Sequence, residues 1–115
     1  GAASFARDML GVAYNLQRAL NAVAELDQET LPEAAKSLLE GVAATERDLI
    51  ASMGRHKVSP VSPMGEKFDP NMHEAMFEAP GTGQPAGTII EVIETGYMID
   101  ERLLRPAKVA IAKDE

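Results

Sequence analysis

Cysteine and tryptophan are absent from this chain, and its aromatic side chains amount to two Tyr and three Phe. Without cysteine there is no disulfide framework, thiol nucleophile or thiolate zinc site, a composition that fits a reducing compartment. With so few rings, a core must be assembled from Ala, Leu, Val, Ile and the six Met, the diet of helical bundles more than of sandwiches. Basic residues are short as well: 11 Lys and Arg stand against 18 Asp and Glu, for a net charge of −7. Affinity for a phosphate backbone comes mainly from clustered Lys and Arg, so nucleic acid and anionic membrane surfaces are disfavoured as partners. Residues 1–54 carry 4 basic and 8 acidic side chains and residues 55–115 carry 7 and 10, so neither half is a charged tail. No apolar run is long enough to span a bilayer, and no signal-peptide pattern opens the sequence. The expectation is a soluble, intracellular protein.

What remains is ordinary globular material, 45% apolar and 25% charged over 115 residues. That length suits one domain, or one helical element plus one small sheet module. A unit of this size buries roughly 65% of its unfolded-chain surface. A core poor in bulky rings gains less from each buried residue, and a partner subunit would help.

The first half reads as two helices. Apolar residues fall at Phe5, Met9, Val12, Leu16, Ala19, Val23 and Leu26, the alternating spacing of a heptad seam, which Leu10, Ala13 and Leu20 widen. A polar stretch, Asp27-Gln28-Glu29, ends this helix. Thr30 followed by Glu33 has the pattern of a capping box, with Pro32 tolerated in the first turn. A second helix is expected from about Leu31 to Met53, with Leu38, Leu39, Val42, Leu49 and Ile50 on its stripe and Gly54 as its stop. Gly41 inside it is either tolerated on a solvated face or permits another backbone to approach closely. A hairpin of two helices with wide apolar faces leaves much of that surface wet, and two copies docked as a four-helix bundle are the economical remedy.

Beyond residue 57 the grammar changes. Six of the seven prolines lie past Arg55 and the helical stripe disappears. Val58 to Met64 is extended, because each Pro disfavours helix for the residue before it. Gly87 to Glu94 has the β-branched content of a strand, and Tyr97–Ile99, Leu103–Leu104 and Val109–Ile111 give further short ones. Asp100-Glu101 suits a hairpin turn, and Pro106 implies a strand edge or bulge. The second half is expected to be one compact sheet of short strands.

Catalytic and metal chemistry find little support. His56 and His73 are the only histidines, and neither has a metal-ligand spacing, despite acidic neighbours at Asp69 and Glu74. The glycines of Gly81-Thr-Gly83-Gln-Pro-Ala-Gly87 fit neither common phosphate fingerprint, and a strand rather than a helix follows, so a plain loop is expected. Ser37, Ser52, Ser59 and Ser62 lie in no nucleophile elbow. Most Met residues are core filler, although Met64, Met72 and Met76 around a Pro-rich loop suit an adaptable contact surface.

One constellation is specific. Phe68-Asp69-Pro70-Asn71-Met72-His73-Glu74-Ala75-Met76 is followed by Gly96-Tyr97-Met98-Ile99-Asp100-Glu101-Arg102-Leu103-Leu104-Arg105-Pro106-Ala107-Lys108-Val109-Ala110-Ile111. This resembles the two-part signature of the GrpE family, the nucleotide-exchange cochaperones of DnaK-type chaperones. The features are an Asp-Pro turn, a His and an Ala two residues apart, a Gly-Tyr pair and a Leu-Arg-x-Ala-x-Val-x-Ile strand. Phe5-Ala-Arg-Asp-Met-Leu, Asn15-Leu16-x-Arg18-Ala19-Leu20 and Glu40-Gly41-Val42 extend the resemblance to the helices.

The resemblance implies an α+β protein. Residues 1–56 form a helical dimerisation region, the end of a long helix plus a bundle helix, and pair with a second copy as a four-helix bundle. Residues 57–115 form a small all-β wing domain that contacts the chaperone ATPase domain, opens its nucleotide cleft and releases ADP. Neither enzymatic activity nor a cofactor or metal is implied. The chaperone-facing residues are then Arg102, Ile93, Ile111, Pro70 and Asn71, with Arg102 as the expected anchor. Met9, Val12, Leu16, Leu20, Leu38, Val42 and Leu49 line the dimer interface. Phe68, Asp69, His73, Ala75, Gly96, Tyr97 and Arg105 shape the sheet and its loops. The cycle would be shared with a J-domain cochaperone in a cytoplasm of bacterial type, in preference to a mitochondrial matrix. Most of the family's long N-terminal paired helix is expected to lie outside these residues, which puts thermosensing by that helix outside their reach. The residues alone leave a second reading, a structural homodimeric adaptor whose sheet binds another protein.

Overall fold

The computed structural model describes residues 1–114. It divides the chain into two units, a helical one over Gly1–His56 and a β one that begins at Lys57.

The helical unit is a hairpin of α1 (Ala2–Ala24) and α2 (Glu33–Gly54), packed against each other. The end of α1 is tied back by backbone and side chain together: the Val23 carbonyl accepts from the Leu26 amide at 3.0 Å, and Gln28 Nε2 donates to the Val23 and Leu26 oxygens, both at 2.8 Å. Gln28–Thr30 is a short 3-10 turn in which the Asp27 carboxylate accepts from the Glu29 amide and the Asp27 carbonyl accepts from the Thr30 hydroxyl, each at 3.0 Å. The hydroxyl of Thr30 is thereby committed to the loop, and the expected capping box does not form. Leu31 is extended, with ψ 137°, as the ring of the following Pro32 demands. Pro32 is itself the N-cap of α2, without a capping side chain. The expected stop at Gly54 is also displaced. Gly54 is helical, Arg55 continues in αR, and the left-handed residue is Lys57, at φ +72°.

The hairpin buries a stripe next to the predicted seam. Ala6, Leu10 and Ala13 of α1 and Met53 of α2 are buried. The seam is turned toward solvent instead: Phe5 is 66% exposed, Val12 45% and Leu26 55%, while Met9, Leu16 and Val23 are half-buried. The sequence contains two adjacent apolar stripes, and the small side chains of Ala6 and Ala13 favour close packing along theirs. Gly41 lies on an open face of the hairpin, where an added Cβ would meet nothing within 4 Å.

The β unit contains two three-stranded sheets, not the one sheet expected. β1 (Val58–Val61), β4 (Gly96–Ile99) and β5 (Arg102–Arg105) form an antiparallel sheet in the order β1-β4-β5. β2 (His73–Ala79), β3 (Ile89–Glu94) and β6 (Ala107–Ala112) form the other, ordered β2-β6-β3. In it β6 runs parallel to β2 and antiparallel to β3. Strand β2 was not expected, because its alternation is weak and most of its side chains are exposed. Pro106 stands between β5 and β6. There it turns the chain from one sheet into the other, where its missing N–H costs no ladder bond.

The core of the β unit is built on the central strand. Ile89, Ala107 and Val109 form a buried cluster, against which Phe68, Val92 and Ile111 pack. Gly96 is required by close approach. A Cβ there would lie 2.5 Å from the Ala107 amide nitrogen and 2.9 Å from the Pro106 carbonyl carbon, so only glycine lets the two sheets come together at this point.

Candidate functional site

The motif Phe68–His73 folds into a turn tied at both ends. Phe68 joins the core cluster, and its amide donates to the Gly87 carbonyl at 2.9 Å. The Asp69 carboxylate accepts from the Asn71 amide at 2.9 Å, the local bond for which Asp is favoured in turns. The Asp69 carbonyl accepts from the Met72 amide at 3.0 Å and the His73 amide at 2.8 Å. The Asp69 amide in turn donates to His73 Nδ1 at 2.9 Å. His73 is buried, with its ring 6.0 Å from that of Phe68. Because Nδ1 accepts, this ring carries its proton on Nε2. Pro70 and Asn71 are left exposed at the apex.

A charged group stands where the two sheets meet. Glu94, the last residue of β3, receives Arg105 Nη1 at 3.1 Å on one carboxylate oxygen and Lys108 Nζ at 3.5 Å on the other. The Arg105 guanidinium also lies over the Tyr97 ring, 5.5 Å from its centroid, a cation–π arrangement. Four strands thus contribute to one half-buried cluster. Glu94 and Lys108 were not foreseen, since an acid ending one strand says nothing of bases that lie beyond a turn and a further strand.

Arg102 is exposed and opens β5, just after the Asp100-Glu101 turn. That turn is the two-residue hairpin expected, with Ile99 opposite Arg102. Asp100 takes φ +51°, a conformation Asp tolerates better than most, and its amide donates to the Lys57 carbonyl at 2.9 Å.

The strand register sorts the remaining candidates. His73 pairs with Ala107 and Glu94 with Lys108, so the turn before β2 and the end of β3 flank the same end of β6. Ile93, 45% exposed, belongs to that end. Ile111 does not: it pairs with Ile89 and is packed on the core cluster. Arg102 stands apart on the other sheet, about 10 Å along β5 from Arg105. Ala75 is exposed on β2, immediately before a register irregularity that ends at Phe77. Among the described residues no three His, Asp or Glu side chains gather as a metal set, and no helix is long and apolar enough to cross a membrane.

The GrpE family model matches residues 1–113. The chain belongs to the GrpE family. It is 51% identical over 113 residues to protein GrpE of Parvibaculum lavamentivorans, covering 97% of this chain and 53% of that relative. It is 51% identical over 113 residues to protein GrpE of Chelativorans sp., covering 98% of this chain and 51% of the relative. With protein GrpE of Nitrobacter winogradskyi the identity is 52% over 114 residues, covering 98% and 57%. The chain therefore spans about half the length of the curated GrpE relatives it matches.

Proposed function

We propose that this GrpE-family chain is a nucleotide-exchange module: its β unit binds the ATPase domain of a DnaK-type chaperone, opens the nucleotide cleft and accelerates ADP release. The reading is carried by the family match over residues 1–113, which takes in the whole β unit apart from its last residues. The module makes and breaks no bond. It is a ligand that favours the open chaperone, and a coupling free energy of about 1.4 kcal/mol between module and nucleotide lowers nucleotide affinity tenfold. By linkage, nucleotide weakens the module's grip by the same factor.

Arg102 anchors the contact through a chaperone carboxylate, and its exposed position at the tip of a pinned hairpin supports that role. Ile93 supplies exposed apolar area, Pro70 and Asn71 a rigid apex, and Ile111 supports the sheet from behind. The helical unit pairs with a second copy. Val12 and Leu38, at 45% and 68% exposure, and the half-buried Met9, Leu16, Leu20, Val42 and Leu49 offer the apolar surface for it. In the cell the module serves the protein-folding and heat-shock cycle beside a J-domain cochaperone, in a bacterial cytoplasm.

The test is release of a fluorescent ADP analogue from a DnaK-type chaperone. Saturating chain is expected to accelerate release. No acceleration would overturn the reading and favour an adaptor that uses the sheet for another protein.

A further inference from the structure

The apex Pro70-Asn71 stands between two hydrogen bonds that join the same pair of residues in opposite senses. Asp69 N–H donates to His73 Nδ1 at 2.9 Å, and His73 N–H donates to the Asp69 carbonyl at 2.8 Å. The second bond is a backbone bond that any residue at position 73 would make. The first requires an acceptor attached to Cγ, and it is the imidazole that provides one. We infer that His73 is a positioning residue for the contact surface: its Nδ1 fixes the Asp69–His73 turn in the form that presents Pro70 and Asn71 to the partner.

Three features of the surroundings support this. His73 is 8% exposed and its ring lies beside Phe68, which is itself packed on the Ile89, Ala107 and Val109 cluster, so the imidazole cannot swing away without leaving a gap. The strand that follows is anchored at the same point, because the Ala107 amide donates to the Met72 carbonyl at 3.2 Å and His73 pairs with Ala107. The Asp69 carboxylate accepts from the Asn71 amide at 2.9 Å, a second side-chain bond that holds the apex in the same turn. A turn held in this way meets its partner with its ordering cost already met, and its effect belongs in affinity more than in the opened state it stabilises.

The inference rests on the exchange function proposed above, and the test separates the two. Release of a fluorescent ADP analogue from a DnaK-type chaperone is followed against chain concentration for wild type, His73→Leu, His73→Asn and His73→Gln. Asn carries an oxygen on Cγ where histidine carries Nδ1, Gln carries its oxygen one atom further out, and Leu has no acceptor. For His73→Leu and His73→Gln the half-saturating concentration should rise about tenfold, the equilibrium cost of one lost buried hydrogen bond, with the maximal acceleration unchanged. His73→Asn should return toward wild type. Amide exchange on the same chains should show Asp69 deprotected in the Leu and Gln variants and protected in the Asn variant. If His73→Leu does not fold, the Asn and Gln pair decides alone. No acceleration by wild type sinks the exchange reading and this inference with it. Acceleration by wild type with all three variants alike, or with only the maximal rate changed, sinks the inference and leaves the exchange reading standing.

Discussion

The Glu94 carboxylate is 3.1 Å from the Arg105 guanidinium, a pair that joins the last residue of β3 in one sheet to the last residue of β5 in the other. Both side chains are largely shielded, at 16% and 24% exposure, so solvent screens the pair less than a surface ion pair. Glu94→Gln keeps the shape and removes the charge that Arg105 and Lys108 share. It should destabilise the chain by about 1–2 kcal/mol, read as a lower urea midpoint at unchanged slope. An unchanged midpoint would show that the stacking of Arg105 on Tyr97 is enough to hold the joint.

Gly96→Ala tests the approach of the two sheets. The new methyl would collide with backbone at Pro106 and Ala107, which cannot rotate aside. A loss of about 2–3 kcal/mol is expected, a fall in melting temperature of several degrees or more. A wild-type melting curve would mean that the joint flexes more readily than its geometry implies.

Arg102→Ala should slow stimulated ADP release about tenfold or more, as for a buried interface anchor, and leave the sedimentation of the chain alone. Arg102 is exposed at the end of a strand, so its removal costs the fold little. Exchange kinetics equal to wild type would remove it from the contact.

Leu16→Glu should split the pairing of helical units. Leu16 lies on the seam that the hairpin leaves half open, and a carboxylate there would be buried without a partner in any apolar interface, at a cost of several kcal/mol. Sedimentation should report monomer for this variant, against the dimer proposed for wild type. A persisting dimer would place the interface elsewhere on the hairpin.

The helices and four of the six strands could be read in advance because their signals are local. Heptad spacing, a polar break and β-branched runs each act within a few residues. Two of the misses were local in origin as well. Thr30 and Glu33 carry the capping pattern, but Asp27 claims the Thr30 hydroxyl first. Gly54 resembles a helix stop, but it stays helical and the left-handed residue is Lys57. Strand β2 hid because an exposed edge strand needs no alternation, and its partner β6 lies far along the sequence. The turn at Asp69–His73 was marked by its motif, yet nothing in the letters says that the imidazole accepts from the Asp69 amide. Glu94 illustrates the same limit, since charge pairing across two sheets depends on a fold that must be known first.

The position of β6 between β2 and β3 sets the order in which this protein can be made. Both neighbours precede it in the chain, and neither has another sheet partner. Likewise β1 must wait for β4. During synthesis the helical hairpin can close as soon as Gly54 has emerged. The β unit must hold two unpaired, partly apolar strands open until Ala112 is available, and pairings this distant are slow to form. A chain stopped at Pro106 would carry the signature turn and the Arg102 hairpin but not the strand that joins them into one unit, and it should behave as a folded hairpin with a sticky tail.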